Sequence, residues 1–443
     1  MTWFDHTLKW ALEFAFFYPL AMAYLWMTGA LMYYFRYEFR RANYDRPPAL
    51  PHYPFVSILA PCYNEAANVE AALTALSDLH YPYFEVVAIN DGSTDSTGPI
   101  LNELARRLPR LRVVHLASNQ GKALALKSGA LAARGEFLVC IDGDAILDHY
   151  AVTWMMEHFV NNPRVGAVTG NPRIRTRTTL LGRIQVGEFS AIVGLLKRAQ
   201  RIYGRLFTVS GVICAFRRLA LHQVGYWRED TLTEDIDVTW RLQLSHWDVR
   251  FEPRALAWVL MPETLRGLFR QRLRWAVGGG EALKRYSGRI MRWKSRRMWG
   301  VWAEYLFSVA WSYTMLFLAA SWLLSIFFSG PAGSPGRVWL PQWPGMVLGL
   351  TCLLQFAVSL VIDRRYDCGT IRSYLSIVWY PLFYWNLNWL VTIVAFPQAM
   401  FFRPRGRRGR WVTLDRGIAG SGQPLSGSPK ASRTEPPSKQ DLH

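Results

Sequence analysis

Apolar and polar positions follow two regimes along this chain. In the first, beginning near Pro54, short apolar runs end in polar, turn-forming clusters and are separated by helical segments. Val56-Ser-Ile-Leu-Ala60 runs into Pro61-Cys-Tyr-Asn-Glu65, and a helix is predicted over Ala66 to Leu79. Glu85 to Ile89 runs into Asn90-Asp-Gly-Ser-Thr-Asp95, and the next helix reaches Leu108. Leu111 to His115 is a third strand, and Asn119-Gln-Gly-Lys122 opens another helix. The fourth strand, Phe137 to Ile141, stops at Asp142-Gly143-Asp144. It has no polar alternation, which predicts a strand buried on both faces of a parallel sheet. Strand and helix repeated in this way predict an α/β domain with a doubly wound parallel sheet.

In the second regime the apolar runs are long enough to cross a bilayer. Phe14 to Phe35 contains 22 residues without a charge. Arg36, Arg40, Arg41 and Arg46 follow it, which places the next segment on the cytoplasmic side. The run is too long for a signal peptide and no small-residue cleavage site follows it. Tyr305 to Phe328 and Gly345 to Ile362 are two further predicted spans, joined by the Pro/Gly-rich Ser329 to Pro344. Ser373 to Phe402 is an uncharged run with excess length for one span. It either crosses once more or holds a re-entrant or interfacial piece around Pro381, Asn386 and Asn388. The division that follows is a membrane helix and linker over 1–49, an α/β domain over 50–263 and basic interfacial helices over 264–302. A membrane region over 303–402 and a basic, then disordered tail over 403–443 complete it.

Charge sharpens this picture. The formal net charge is +19, yet residues 50–263 carry 22 basic and 21 acidic side chains. The excess lies at Thr264 to Met298, with 11 basic residues against one acid, and from Arg403 onward, with nine against three. A nucleic-acid binder concentrates basic charge on its folded domain. Here it flanks apolar segments, which points to an anionic membrane surface and excludes nucleic acid as the main partner. The five cysteines form no Cys-x-x-Cys pair and read as small buried hydrophobes in a reducing compartment.

Ligands of open α/β sheets collect at the carboxyl ends of the strands. That edge carries Tyr63, Glu65, Asp91, Lys122, Asp142 and Asp144. Each alone reads as a cap or turn residue, but successive strands ending this way define a site. Asp142 and Asp144, with only Gly143 between them, can share a divalent cation whose shell is completed by substrate phosphate oxygens. Neither a Gly-x-x-x-x-Gly-Lys-Ser/Thr loop nor Gly-x-Gly-x-x-Gly occurs, which argues against a P-loop NTPase or a dinucleotide enzyme. Glu234, Asp235 and Asp237 fall in the first turn of a predicted helix, where acids are ordinary dipole partners. Gln271, Arg274 and Trp275, at i, i+3 and i+4, share one helix face. A basic amphipathic interfacial helix would explain them equally.

Taken together, the strand-end residues, Asp142-Gly-Asp144, Thr233-Glu-Asp235 and Gln271-x-x-Arg-Trp275 resemble the motif set of processive family-2 glycosyltransferases, the membrane synthases of cellulose, chitin and hyaluronan. Gly170-Asn-Pro-Arg-Ile-Arg-Thr-Arg177, Gln185-Val-Gly-Glu-Phe189, Phe207-Thr-Val-Ser-Gly-Val212 and Pro262-Glu-Thr-Leu-Arg-Gly267 are similar to the branch that makes a β-1,6-linked poly-N-acetylglucosamine of biofilms. Two departures are a single N-terminal span and Val277, where that branch has glutamine. The resemblance implies a Rossmann-like, nucleotide-sugar-binding GT-A domain, cytoplasmic and embedded between transmembrane helices of a bacterial inner membrane. It implies inverting transfer from UDP-N-acetylglucosamine to a growing polysaccharide that is exported as it is made. In that scheme Tyr63, Glu65 and Asp91 hold the uridine, and Lys122 lies between it and the diphosphate. Asp142 and Asp144 hold Mg²⁺ or Mn²⁺, and Asp235, with Glu234 beside it, is the general base. Gln271 and Arg274 bind the diphosphate, and Trp275 stacks on the acceptor sugar. A chitin- or hyaluronan-like synthase and a non-processive transferase acting on a lipid carrier are the alternatives. The resemblance also leaves room for a small two-span membrane subunit and cyclic-di-GMP control. Arg403-Pro-Arg-Gly-Arg407 resembles the Arg-x-x-x-Arg of cyclic-di-GMP sensor domains, but no such domain follows, so it reads as an anionic-lipid contact.

Overall fold

A computed structural model describes residues 3–39, 46–328, 343–367 and 369–402. Its centre is an eight-stranded sheet in the order β3-β2-β1-β4-β7-β6-β8-β5. The first half matches the apolar pattern. β1 (Val56–Cys62), β2 (Phe84–Asn90), β3 (Leu111–His115) and β4 (Phe137–Ile141) are mutually parallel. β1, β2 and β4 are buried along their whole length, and the polar Ser57 of β1 is satisfied there by donating to Glu85 of β2 at 2.7 Å. One face packs on α2 (Val69–Ala75), α3 (Thr97–Arg107) and α5 (Ala151–Val160). The other packs on α4 (Lys122–Ala132), α8 (Arg218–Val224) and α9 (Glu234–Leu244). α2 starts three residues later than the periodicity predicts. The Glu65 and Ala66 amides donate to Thr97 and Asp95 of the following loop instead of opening a helix.

The second half departs from the all-parallel sheet expected from the pattern. β5 (Ile146–Leu147) pairs antiparallel with β8 (Asp248–Val259), and β7 (Ile213–Arg217) lies antiparallel between β4 and β6 (Val165–Ile174). The reversal has a positional consequence. Ile213 pairs with Ile141, so the entrance to β7, residues 207–212, sits beside the end of β4 and hence beside Asp142. β6 and β8 run parallel and end at the same edge. One side of the sheet thus receives the ends of β1, β2, β3, β4, β6 and β8 and the starts of β5 and β7.

Among the described residues three helices are long and apolar enough to cross a membrane: Asp5–Glu38, Trp293–Ile326 and Trp343–Asp363. They correspond to α1 (Trp3–Tyr33) with its extension to Glu38, α11 (Trp299–Phe328) and α12 (Trp343–Asp363). The uncharged run after Ser373 is not a single rod. It divides into α13 (Tyr374–Ile377), α14 (Tyr380–Pro397) and a π-helical turn, Gln398–Phe402, and α14 packs against α10 (Leu265–Ile290) and α11. The loop over 329–342, Arg40, Arg41 and the tail beyond Phe402 lie outside the described residues, and so does Cys368. The other four cysteines are free and buried.

The α/β domain is fastened to the membrane helices through α6 (Leu180–Phe189) and α7 (Leu196–Tyr203), which are joined by a π-helical stretch, Ser190–Leu195. Ala23, Met27 and Ala30 of α1 pack with Leu195 and with Ile362 of α12. A charged knot lies next to this contact. Arg198 is fully buried and donates to both Glu38 oxygens at 2.7 and 3.1 Å and to Asp363 at 2.9 Å. Arg173 of β6 reaches the other Asp363 oxygen at 2.9 Å, and Ser190 shares it at 2.5 Å. Tyr366 donates to Glu38 at 2.6 Å. Breaking a buried pair strands the remaining charges, which typically costs about 3–5 kcal/mol. Arg198→Ala should therefore lower the unfolding temperature in detergent and the yield of monodisperse protein. Unfolding at the wild-type temperature would show that the knot does not hold the two parts together.

Candidate active site

The carboxyl edge of the sheet opens into a cavity of about 2530 Å³. An ordinary small-molecule site occupies about 300–1,000 Å³, so there is room for a nucleotide sugar and several further sugar units. Each wall follows from the local fold. The turn after β4 is tight at Gly143, where a Cβ would lie 2.9 Å from both Cys62 Sγ and the Pro61 carbonyl. Only glycine lets the two aspartates fold back over the end of β1. Glu65, Asp144 and Asp142 then gather around the Cys62 thiol, whose pKa is driven well up by burial and by these three carboxylates.

Asp91 is fully buried. Its two oxygens accept from the backbone amides of Gln120 at 2.9 Å and Gly121 at 2.8 Å. Burial raises its pKa and these two bonds oppose the rise. Asp91 and Glu65 therefore sit beneath the site and do not line the cavity, whereas Tyr63 does. The loop that Asp91 fixes carries Lys122 at the start of α4. Lys122 Nζ lies 2.5 Å from Asp142 Oδ1, 3.0 Å from the Gly211 carbonyl and 3.4 Å from Glu234 Oε1. Burial disfavours its charge, but Asp142, Glu234 and Asp235 outweigh that and hold its pKa above the usual lysine range.

α9 brings its first turn to the same point. Glu234 is buried and Asp235 partly so. Burial and the neighbouring Glu234 push the Asp235 pKa up to about 6, against the pull of Lys122, the Ile236 amide and Arg274. Its Oδ2 would lie 3.3 Å from a Cβ on Gly211, so the turn before β7 leaves it open space on that side. Asp237, read from sequence as a third first-turn acid, points elsewhere and pairs with Arg241 and Tyr286.

The opposite wall is α10, capped by the Thr264 hydroxyl on the Gly267 amide at 3.2 Å. Gln271, Arg274 and Trp275 all line the cavity. Gln271 is buried with its Oε1 unpartnered among the described residues. Arg272 stacks on the Trp275 ring at 4.4 Å and donates to Glu188 at 2.5 Å, so one face of the indole is already covered. Gly278 packs so closely on Thr233 that any Cβ there would overlap it, which locks α10 to the start of α9.

Sequence reasoning gave Glu188 no role and passed over Arg272 and Lys197, which also line the cavity. Lone charges on amphipathic helices read as solvated, and their burial comes from contacts distant in sequence. For the metal, Asp142 and Asp144 are hard oxygen donors suited to Mg²⁺ or Mn²⁺. Among the described residues no group of three or more His, Cys, Asp or Glu could hold an ion unaided. The two aspartates therefore fit a cation that draws its remaining ligands from a bound diphosphate.

A sheet of this topology with its acids at the carboxyl edge is the scaffold of a GT-A glycosyltransferase. A mannosyltransferase from Pyrobaculum calidifontis, solved with GDP-Man and Mn²⁺, shares the fold with a TM-score of 0.60 and 20% identity, over 89% of this chain and all of that one. A family model described as "Glycosyltransferase like family 2" matches residues 52–278, and the chain belongs to that family. It is also similar to the poly-β-1,6-N-acetyl-D-glucosamine synthases of Staphylococcus epidermidis and Staphylococcus aureus strain COL. The first is 37% identical over 421 residues and the second 35% over 406; each match covers 91% of this chain and 98% of the relative.

Asp235 lines the cavity with its pKa raised toward neutrality, a setting suited to a general base. Asp235→Asn should lower turnover by about two to four orders of magnitude and leave UDP affinity unchanged in calorimetry. In the wild type kcat/KM should rise with pH through about 6, because the base works only when ionised. The reverse slope, or normal turnover in Asp235→Asn, would end its candidacy.

Proposed function

We propose that this glycosyltransferase polymerises N-acetylglucosamine from UDP-N-acetylglucosamine into a β-1,6-linked polysaccharide and passes the product into the membrane as it grows. The cavity carries this reading. It begins at Tyr63 and the paired aspartates and continues past Asp235 and Trp275 to Tyr305 of α11 and to Val394 and Pro397 of α14. Donor site, base, aromatic platform and membrane helices border one continuous space. The similarity to the staphylococcal synthases supplies the sugar and the linkage.

The roles follow from position. Tyr63 faces the uracil end, with Glu65 and Asp91 holding the loops beneath it. Lys122, Gln271 and Arg274 gather the diphosphate. Asp142 and Asp144 would hold Mg²⁺ or Mn²⁺, which when bound neutralises charge on the departing diphosphate. Asp235 takes the proton from O6 of the acceptor as that oxygen attacks the anomeric carbon opposite the leaving group. The bond from C1 to the phosphate oxygen breaks, and UDP leaves with its electron pair. Attack from the opposite face inverts the donor's α configuration to β. The free face of Trp275 supports the acceptor ring. By the charge rule, the α/β domain faces the cytosol, where the donor is made, from a bacterial inner membrane.

The test incubates the purified full chain with UDP-N-acetylglucosamine and Mg²⁺ or Mn²⁺, then determines the linkage of the product. A 6-linked polymer is expected. A 3- or 4-linked polymer, or a single sugar on a lipid carrier, would overturn the proposal. EDTA should stop incorporation and added cation should restore it, whereas full activity in EDTA would remove the metal from Asp142 and Asp144.

A further inference from the structure

Lys197 borders the cavity from α7 and is only 6% exposed. Its ammonium donates to Ser210 Oγ at 2.6 Å and Thr169 Oγ1 at 3.1 Å, and the Phe251 ring lies 6.0 Å away. Among the described residues it forms no ion pair, unlike the buried Arg198 beside it. Burial lowers its pKa to about 7, with Asp235 pulling the other way. A buried cation without a counter-ion is costly to the fold and is a mark of functional sites.

Its surroundings indicate the function. Ser210, its nearest partner, begins the tight turn closed by the Ile213 amide on the Ser210 carbonyl at 3.1 Å. The next residue, Gly211, is the one that approaches Asp235 Oδ2 and accepts from Lys122. Lys197, Asp235 and Lys122, which all line the cavity, thus meet at the same two-residue step. Lysine is a donor with three N–H groups and no acceptor. Two of these groups are taken by hydroxyls, and the third remains for whatever fills the cavity next to Asp235. Sugar hydroxyls both donate and accept, whereas an acetamido carbonyl only accepts and so complements an ammonium.

We propose that Lys197 is a specificity-determining residue of the acceptor subsite, donating to the acetamido carbonyl of the chain-end sugar whose hydroxyl faces Asp235. This rests on the reading of the protein as an N-acetylglucosamine polymerase. It gives the enzyme a means of reading the acceptor that is separate from the donor site. A site built to hydrogen-bond a polar group rejects analogues that lack it. A chain end that has lost its acetyl group would also present an ammonium to Lys197 and be repelled.

The test measures kcat/KM for a short β-1,6-linked N-acetylglucosamine oligomer and for its de-N-acetylated counterpart, at saturating UDP-N-acetylglucosamine. Wild type, Lys197→Met and Lys197→Gln are compared, with UDP binding by calorimetry as the check on folding. Wild type should favour the acetylated acceptor. Lys197→Met should lower that preference at least tenfold with UDP affinity unchanged, and Lys197→Gln, which keeps a donor, should lower it less. Should the methionine variant not bind UDP, the glutamine variant decides, and any fall in its preference ratio supports the proposal. A ratio equal to wild type in a variant that binds UDP would overturn it, because a residue that merely braces Ser210 would slow both acceptors alike. Absence of polymer from the wild type would overturn the polymerase reading and this one together. Wild-type polymer with an unchanged ratio overturns this one alone.

Discussion

The guanidinium of Arg198, shared between Glu38 and Asp363, is the contact on which the geometry of the whole molecule rests. Glu38 ends the first membrane helix, Asp363 ends the third, and Arg173 brings the sheet into the same knot. Four charged side chains from distant parts of the chain are withdrawn from water at one point. None of them can be satisfied unless the others are in place. The knot also fixes α7, which carries Lys197 and Gln200 on the cavity wall. The position of the active site relative to the bilayer is therefore set by electrostatics rather than by apolar packing alone.

The strand that runs backwards gives the site its second half. With parallel strands alone the edge would carry only strand ends. Because β7 enters beside Asp142, the Ser210–Gly211 turn comes between the donor residues and the wall built by α7. The two lysines that grip this turn differ in setting. Lys122 is surrounded by carboxylates and firmly charged, and among the described residues Lys197 donates to two hydroxyls. One suits a diphosphate and the other a neutral sugar.

Much of this was legible in the sequence, for physical reasons. A strand buried on both faces must be apolar throughout, so β4 and the acids that end it stood out as a run with a sharp stop. The first four strands and three membrane helices follow from the same rule. The direction of β7 was not legible, because a short apolar run such as Ile213 to Phe216 has the same composition in either orientation. Nor was the division of the run after Ser373, since hydropathy treats a residue against lipid and one against α10 alike. Arg198 is 160 residues from Glu38 and 165 from Asp363, and no local pattern records such a pairing. At the site, the pattern places Asp91 at the sheet edge, whereas its bonds to the Gln120 and Gly121 amides join residues 29 and 30 positions apart. Chain spacing located the residue at the edge but not the direction of its side chain.

The contact of Gly278 with Thr233 has a further consequence. Thr233 is two residues before Asp235, and Gly278 is one helical turn after Trp275, so the proposed base and platform stand on two helices in direct contact. Their spacing is a fixed gauge inside an otherwise roomy cavity. Advance of a polymer cannot come from one of them moving toward the other. In the proposed polymerisation the sugar would travel along the gauge, and each new unit would be measured against the same length before its proton is taken.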